Sequence, residues 1–149
     1  MALYVAVIGG SEVEPEVAVE AERAGTLLAE AGAIVVTGGR EGVAAAACRG
    51  AARAGGTTVG ILPGRDRAEA NPWVGIAIPT GLGETRNALV VMGADAVIAF
   101  PGAFGTLVEL GFALHAAKRV IVVGEWDLAG GIDVPHAPSA REAVAFALA

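Results

Sequence analysis

The chain has 149 residues, a length that suits one domain able to bury roughly 68–70% of its unfolded surface. Its formal charge of −6 argues against a protein that wraps nucleic acid, which needs clustered Lys and Arg. Apolar residues make up 54% and aromatics only 5%, but no apolar run reaches the roughly 18 residues of a membrane span, so the composition reads as a sheet buried between Ala-rich helices.

Apolar runs and helical runs alternate along the chain. Met1-Ala2-Leu3-Tyr4 carries no basic segment and enters a strand directly, so no signal peptide is expected. Leu3–Ile8 is the first predicted strand and ends in Gly9-Gly10-Ser11. A helix follows over Pro15–Ala31, with Ser11 or Glu14 near its start and Gly32 at its stop. Ile34–Thr37 is the second strand, followed by Gly38-Gly39-Arg40-Glu41-Gly42 and a small-residue helix over Val43–Ala54. Thr57–Leu62 is the third strand, Pro63–Pro72 a charged loop, and Trp73–Ile78 the fourth strand. A short helix is expected over Glu84–Met92, a fifth strand over Ala96–Phe100 and a helix over Thr106–Ala117. Val120–Val123 is the last strand, Glu125–Pro138 is irregular, and Ser139–Leu148 closes the chain as a helix.

Continuous Val/Ile/Ala strands alternating with helices predict an α/β, doubly wound, mainly parallel sheet with helices on both faces, built as one domain over residues 1–149. The link from third to fourth strand has no evident helix, which leaves the strand order there open. Gly9-Gly10, Gly38-Gly39, Gly81–Gly83 and Gly102–Gly105 each follow an apolar run. In a parallel sheet those turns share the carboxyl edge, where ligands of open α/β sheets bind. Backbone N–H groups at a glycine turn leading into a helix suit a phosphate. Gly10, Ser11, Gly38, Gly39, Gly83, Gly102, Ala103, Phe104, Gly105 and Thr106 are the candidate anion contacts.

Two charged residues stand beside those turns. Arg86 opens the short helix after Gly81-Leu82-Gly83, where an unpaired cation is mildly unfavourable, so an anionic ligand or Glu109 is its expected partner. Thr106-Leu107-Val108-Glu109 fits a capping box with Thr106 at the cap. The same Glu109, held ionised near a helix N-terminus, is also placed to orient water or a hydroxyl. Asn87 is either a local backbone partner or a ligand contact, and Arg40 either reaches a phosphate or is solvated. Asn71-Pro72 reads as turn chemistry, Trp73 as edge packing, and His115 as core or interface packing. His136 is expected to be exposed. The single cysteine, Cys48, lies in an Ala-rich helix, reads as packing and fits a reducing cytoplasm. The only lysine, Lys118, stands at a helix end, a poor place for a pyridoxal-phosphate aldimine. Ser139-Ala140-Arg141-Glu142 repeats the capping spacing without a glycine turn. No metal-ligand cluster, nucleophile elbow or Gly-Lys-Ser/Thr phosphate loop occurs.

Pro101-Gly102-Ala103-Phe104-Gly105-Thr106-Leu107-Val108-Glu109 resembles the Pro-Gly-Gly-x-Gly-Thr-x-x-Glu signature of the LONELY GUY family, long mislabelled lysine decarboxylases. Arg86 precedes Pro101 by fifteen positions, as the family's upstream Arg does. The resemblance extends to Gly38-Gly39 and Gly60-Ile61-Leu62-Pro63. Ala70-Asn71-Pro72, Thr80-Gly81 and Arg86-Asn87 are more similar to a bacterial branch related to molybdenum cofactor carrier proteins. The resemblance implies a Rossmann-like fold, often dimeric, that handles a phosphorylated ligand. In LONELY GUY enzymes, the Arg and Glu matching Arg86 and Glu109 are the catalytic pair that hydrolyses cytokinin nucleoside 5′-monophosphates. Ala103 departs from the second signature glycine. Asn87 replaces the Lys that follows the family's Arg, which weakens the transfer of the activity.

Two functions follow as expectations. One is a nucleoside 5′-monophosphate phosphoribohydrolase using Arg86 and Glu109, with no cofactor required. The other is a carrier or sensor that holds a nucleotide or molybdopterin-type ligand without turnover. The predicted helix Leu107–Ala117 is apolar around most of its circumference. The chain is therefore expected to pair with a second copy, as a homodimer or higher homo-oligomer, and to use neither nucleic acid nor a membrane.

Overall fold

The structure, a computed structural model, describes residues Met1–Ala149. Its strands are β1 (Tyr4–Ile8), β2 (Ile34–Thr37), β3 (Thr58–Leu62), β4 (Ile76–Pro79), β5 (Ala96–Ala99), β6 (Arg119–Val123) and β7 (His136–Ala137). Five helices join them: α1 (Pro15–Glu30), α2 (Val43–Arg53), α3 (Asn87–Met92), α4 (Phe104–His115) and α5 (Ala140–Leu148). All seven strands form one parallel sheet in the order β4-β3-β2-β1-β5-β6-β7. Val5 pairs in register with Val35 on one side and Ala96 on the other. The chain winds outward from β1 to β4, then returns to β5 and winds the other way. The reversal between β1 and β5 is the place where an open α/β sheet offers a crevice at its carboxyl edge. The α/β, Rossmann-like class expected from the sequence is the class observed.

Alternation along each strand divides the core between two faces. Val5, Val7, Val35, Ile98 and Phe100 meet α1, α2 and α5 through residues such as Leu28, Val43, Ala47 and Val144. Ala6, Ile8, Val36 and Val97 meet α3 and α4 through Val90, Val91 and Leu110. Helices α1 and α2 touch backbone to backbone, since a Cβ added at Gly25 would overlap the Ala47 carbonyl and one at Gly50 the Glu22 carbonyl. Glu22 crosses the same seam to Arg49 at 2.9 Å and Arg53 at 3.3 Å.

Several boundaries differ from the sequence reading, each for a local reason. The fourth strand begins at Ile76 because Trp73–Gly75 is a turn hooked onto one hydroxyl. Thr58 Oγ1 donates to the Trp73 carbonyl and accepts from the Gly75 amide, both at 2.7 Å. The link from β3 to β4 contains only the 3₁₀ turn Arg67–Glu69, and the two strands are neighbours. The expected short helix is a 3₁₀ turn over Gly83–Arg86 running into α3. The stretch expected to be irregular contains a 3₁₀ turn, Asp127–Ala129, and strand β7.

Helix α4 starts two residues before Thr106. Ala103 is its cap residue in extended conformation (φ −97°), and Leu107 N–H already bonds to the Ala103 carbonyl at 3.1 Å. Thr106 is therefore the third helical residue and Glu109 the sixth, which corrects the capping-box reading. At α5, Ser139 occupies the cap position, but its hydroxyl donates to the Glu142 carboxylate. The Ala140 amide is met instead by Glu20 Oε2 at 2.7 Å, a contact across 120 residues.

Candidate functional site

At the carboxyl edge of β1, β2 and β5 lies a cavity of about 460 Å³, within the range of small-molecule sites. Gly9, Gly10 and Ser11 line it from the end of β1. Gly38, Arg40, Glu41 and Ala44 line it from the β2–α2 turn, and Glu84, Arg86 and Asn87 from the approach to α3. Ala103, Gly105, Thr106 and Glu109 complete it from α4.

The loops are bound to one another before any ligand arrives. Gly10 donates its N–H to the Pro101 carbonyl at 3.0 Å, and its own carbonyl accepts from Val43 N–H at 3.0 Å. This second contact needs Gly42, which sits at φ +69°, ψ −130°. A Cβ there would overlap the Gly10 carbonyl. Trp126 Nε1 donates to the Gly102 carbonyl at 2.7 Å. Asn71 closes the β2–α2 loop from outside, donating Nδ2 to the Arg40 carbonyl at 2.7 Å and its backbone N–H to the Gly39 carbonyl at 2.8 Å. Its Oδ1 also accepts from the Trp73 amide at 3.0 Å. The turn reading of Asn71-Pro72 therefore describes what that residue does.

Two helices present their N-termini to this cavity. Neither α2 nor α4 has a capping side chain. The first N–H groups of a helix lack intrahelical partners and stand at its positive end. Ala44 of α2, and Gly105 and Thr106 of α4, sit in those first turns and in the cavity wall. The extended φ of Ala103 is open to any L-residue, so the methyl that replaces the signature glycine adds no backbone strain.

The Glu109 side chain is buried, at 7% exposure, and forms no hydrogen bond within the chain. Burial pushes its carboxyl up from the ordinary 4.5 to about 8. The positive charge of Arg86 works against the rise and the negative charge of Glu84 adds to it. Desolvation thus favours the neutral carboxyl over the ionised one. This corrects the expectation that the helix N-terminus holds Glu109 ionised: at the sixth helical position it lies beyond the first turn, where the dipole acts, and desolvation dominates. Arg86 has no carboxylate within 4 Å, since the chain's ion pairs at that distance are those of Glu22. Its guanidinium instead lies over Gly38, donating to that carbonyl at 3.5 Å. Arg86 Nε and Asn87 Oδ1 are both buried without partners, while Asn87 Nδ2 donates to Glu84 Oε2 at 3.3 Å.

Of the residues singled out in the sequence, the structure brings Gly10, Ser11, Gly38, Arg86, Asn87, Ala103, Gly105, Thr106 and Glu109 to one cavity. Four others lie elsewhere. Gly39 packs behind the wall, where a Cβ would press on Leu62 and Gly60. Gly83 holds the turn before Arg86, bonding to the Pro63 carbonyl at 2.9 Å with φ +60°. Gly102 lines a neighbouring depression, where its Cα approaches Gly10 and Thr106 too closely for a side chain. Phe104 points outward, 72% exposed. His115 is exposed rather than in the core, and Cys48 is buried, 3.4 Å from Thr37 Oγ1. The sequence reading did not assign Glu41, Glu84 or Ala44 to the wall, nor Trp126 to the turn behind it. Glu84 carried a signal, lying three residues before Asn87. Trp126 carried none, because its partner is 24 residues away.

Comparison with known proteins places the chain. The model of the SLOG cluster4 family matches residues 2–143. An uncharacterized protein of Archaeoglobus fulgidus is 39% identical over 118 residues, 79% of this chain and 78% of that one. The molybdenum cofactor binding protein of the phototrophic bacterium Rippkaea orientalis is 35% identical, with a TM-score of 0.92 over 97% of this chain and 94% of its own. The molybdenum cofactor carrier protein of Chlamydomonas reinhardtii is 31% identical, with a TM-score of 0.86 over 97% and 95%.

Proposed function

The chain belongs to the SLOG cluster4 family, and we propose that it holds a phosphorylated small molecule of the molybdenum cofactor type in the β1–β2–β5 cavity and carries it without turnover. The observation that carries this reading is the burial of Glu109 without an ion pair to Arg86, which pushes its carboxyl up to about 8 and so toward the neutral form. Stabilising a cationic sugar, the role expected of Glu109 in nucleosidase chemistry, needs an ionised carboxylate. With Glu109 neutral, Arg40 and Arg86 balance Glu41 and Glu84 in the wall, and the two helix N-termini tip the cavity toward an anion, which suits retention of a phosphate. The names of the Rippkaea and Chlamydomonas relatives point to the same class of cargo. Residues 1–149 act as one binding domain in this reading. The free, buried Cys48 accords with a cytoplasmic setting, and no helix is long and apolar enough to cross a membrane.

One observation favours hydrolysis as a second reading: Arg86 and Glu109 face one cavity. A single experiment separates the two. Native mass spectrometry of gently purified protein, titration with a phosphorylated pterin and incubation with nucleoside 5′-monophosphates are run side by side. Carriage gives a retained or titrated ligand and no ribose 5-phosphate. Ribose 5-phosphate release that disappears in Glu109→Ala overturns it in favour of hydrolysis.

A second copy of the chain completes the proposal. Phe104, Val108 and Phe112 are 72%, 48% and 43% exposed and recur every four residues, which aligns them on one stripe of α4. Leu89 and Met92 of α3 are exposed as well. This apolar helix surface fits the face of a homodimer.

A further inference from the structure

We propose that Trp126 is a positioning residue of the phosphate site: its indole holds the turn from which α4 presents its N-terminus to the cavity. The inference rests on the proposed phosphate site and adds what sets the geometry of that site. Helix α4 has no capping side chain, and its cap residue, Ala103, lies in the cavity wall. The first N–H groups of α4 are therefore aimed by the backbone that leads into them. That backbone is fixed at Gly102. A Cβ there would overlap Thr106 Oγ1 and the Gly10 amide nitrogen, so the turn is wedged between α4 and the loop after β1. The Gly102 carbonyl accepts from Trp126 Nε1 at 2.7 Å. Trp126 itself is 6% exposed and belongs to the same core as Leu110 and Ala113 of α4. The Gly102–Ala103 peptide is trans, so the Ala103 N–H leaves it on the side opposite the indole, and that N–H has no partner in the chain. Pinning the carbonyl thus pins a free donor at the head of α4.

Any large ring would fill the space of the indole; what the indole N–H adds is direction. Rotation of the peptide about its flanking bonds carries its carbonyl and its N–H together, and Gly102, with no side chain, restrains that rotation little. Trp126 is not part of the cavity wall, so its effect on a ligand passes through Gly102. An anion held at this helix end polarises the peptide and makes the Gly102 carbonyl a better acceptor. Ligand and indole therefore strengthen each other's bonds, and the coupling runs both ways.

Calorimetric titration with methyl phosphate tests the role. Trp126→Phe keeps a ring in place and loses the N–H. Val144→Ala loosens the core on the other face of the sheet and leaves the turn alone. Trp126→Phe is expected to bind about three- to tenfold more weakly than the parent, and Val144→Ala within about twofold of it. Parent-like affinity in folded Trp126→Phe, or an equal loss in Val144→Ala, overturns the inference and leaves the phosphate site standing. A second readout leaves Trp126 in place, so it serves even where Trp126→Phe does not fold. The chain has 2 indole N–H groups, and Trp73→Phe tells their ¹⁵N–¹H signals apart. Saturating methyl phosphate is expected to move the Trp126 signal downfield as its hydrogen bond strengthens. A Trp126 signal that stays put in the saturated protein overturns the inference. A parent that binds no methyl phosphate overturns the phosphate site and the inference with it.

Discussion

Replacing Glu109 with Gln removes a proton-binding group while keeping its shape, and the burial of the carboxyl sets the size of the effect. The folded protein holds the Glu109 proton up to about pH 8, while the unfolded chain releases it near 4.5. Between those values the native state binds one proton more than the unfolded state, so stability falls as pH rises. The contribution is fully present below pH 4.5, declines by ~1.4 kcal/mol per pH step, and is lost above pH 8. At pH 7 the loss is on the order of 3 kcal/mol, and at pH 9 on the order of 5 kcal/mol. Glu109→Gln has no such loss. It is expected to match the parent at pH 4.5, to exceed it by about 3 kcal/mol at pH 7, and to exceed it further at pH 9. Urea unfolding of both proteins at the three pH values measures the difference directly, since every other titrating group is common to the pair. A stability gap that stays constant from pH 4.5 to pH 9 would refute the reasoning.

Gly42→Ala places a methyl against the Gly10 carbonyl at a backbone conformation suited to glycine. It is expected to cost ~2 kcal/mol or more and to lower the melting temperature by roughly 5 °C; a variant that melts with the parent contradicts the tight turn. Burial pushes the Cys48 thiol upward, with the Thr37 and Asn71 side chains opposing. Iodoacetamide at pH 8 should therefore leave it unmodified in the folded protein and alkylate it in urea, and alkylation at equal rates in both states contradicts its burial. Val108→Arg puts a charge in the middle of the exposed α4 stripe. Light scattering should report a dimer or larger for the parent and a monomer for the variant, and a monomeric parent at micromolar concentration removes the case for that interface.

What the sequence disclosed was set by local pattern. The Val/Ile/Ala strands and their glycine turns follow from short-range periodicity, and the glycine turns after β1, β2 and β5 mark the crevice at the sheet edge. The start of α4 was misplaced because Ala103 caps it with no polar side chain, while Thr106 and Glu109 carry the spacing of a capping box two residues later. Trp126 was illegible, since its bond to Gly102 arises only when the loop after β6 folds back across the sheet edge. Glu84 stands in the first turn leading into α3, where a carboxylate complements the helix dipole without any ligand, and Glu41 reaches the wall only through the folding of the β2–α2 turn over the sheet edge. The charge state of Glu109 was the costliest misreading. Helix position can be estimated from sequence, but desolvation depends on what closes over the side chain, and here it exceeds the pull of Arg86.

The neutral Glu109 also couples ligand to proton. Arg40, Glu41, Glu84 and Arg86 share the wall with it, and a dianionic phosphate entering that space disfavours a further negative charge. Bound phosphate therefore raises the carboxyl's proton affinity further. By linkage, the proton raises the affinity for phosphate by the same factor. Affinity should then be flat up to about pH 8, where the free protein already holds the proton, and should fall as much as about tenfold per pH step beyond it. Methyl phosphate is the suitable probe, because a phosphate monoester with a second pKa near ~6 stays dianionic throughout that range. Glu109→Gln should bind it with little change from pH 7 to pH 10. An affinity in the parent that is level over the same range would show that the carboxyl and the phosphate do not sense each other. Glu109 would then lose its place in the binding chemistry and keep only its place in the core.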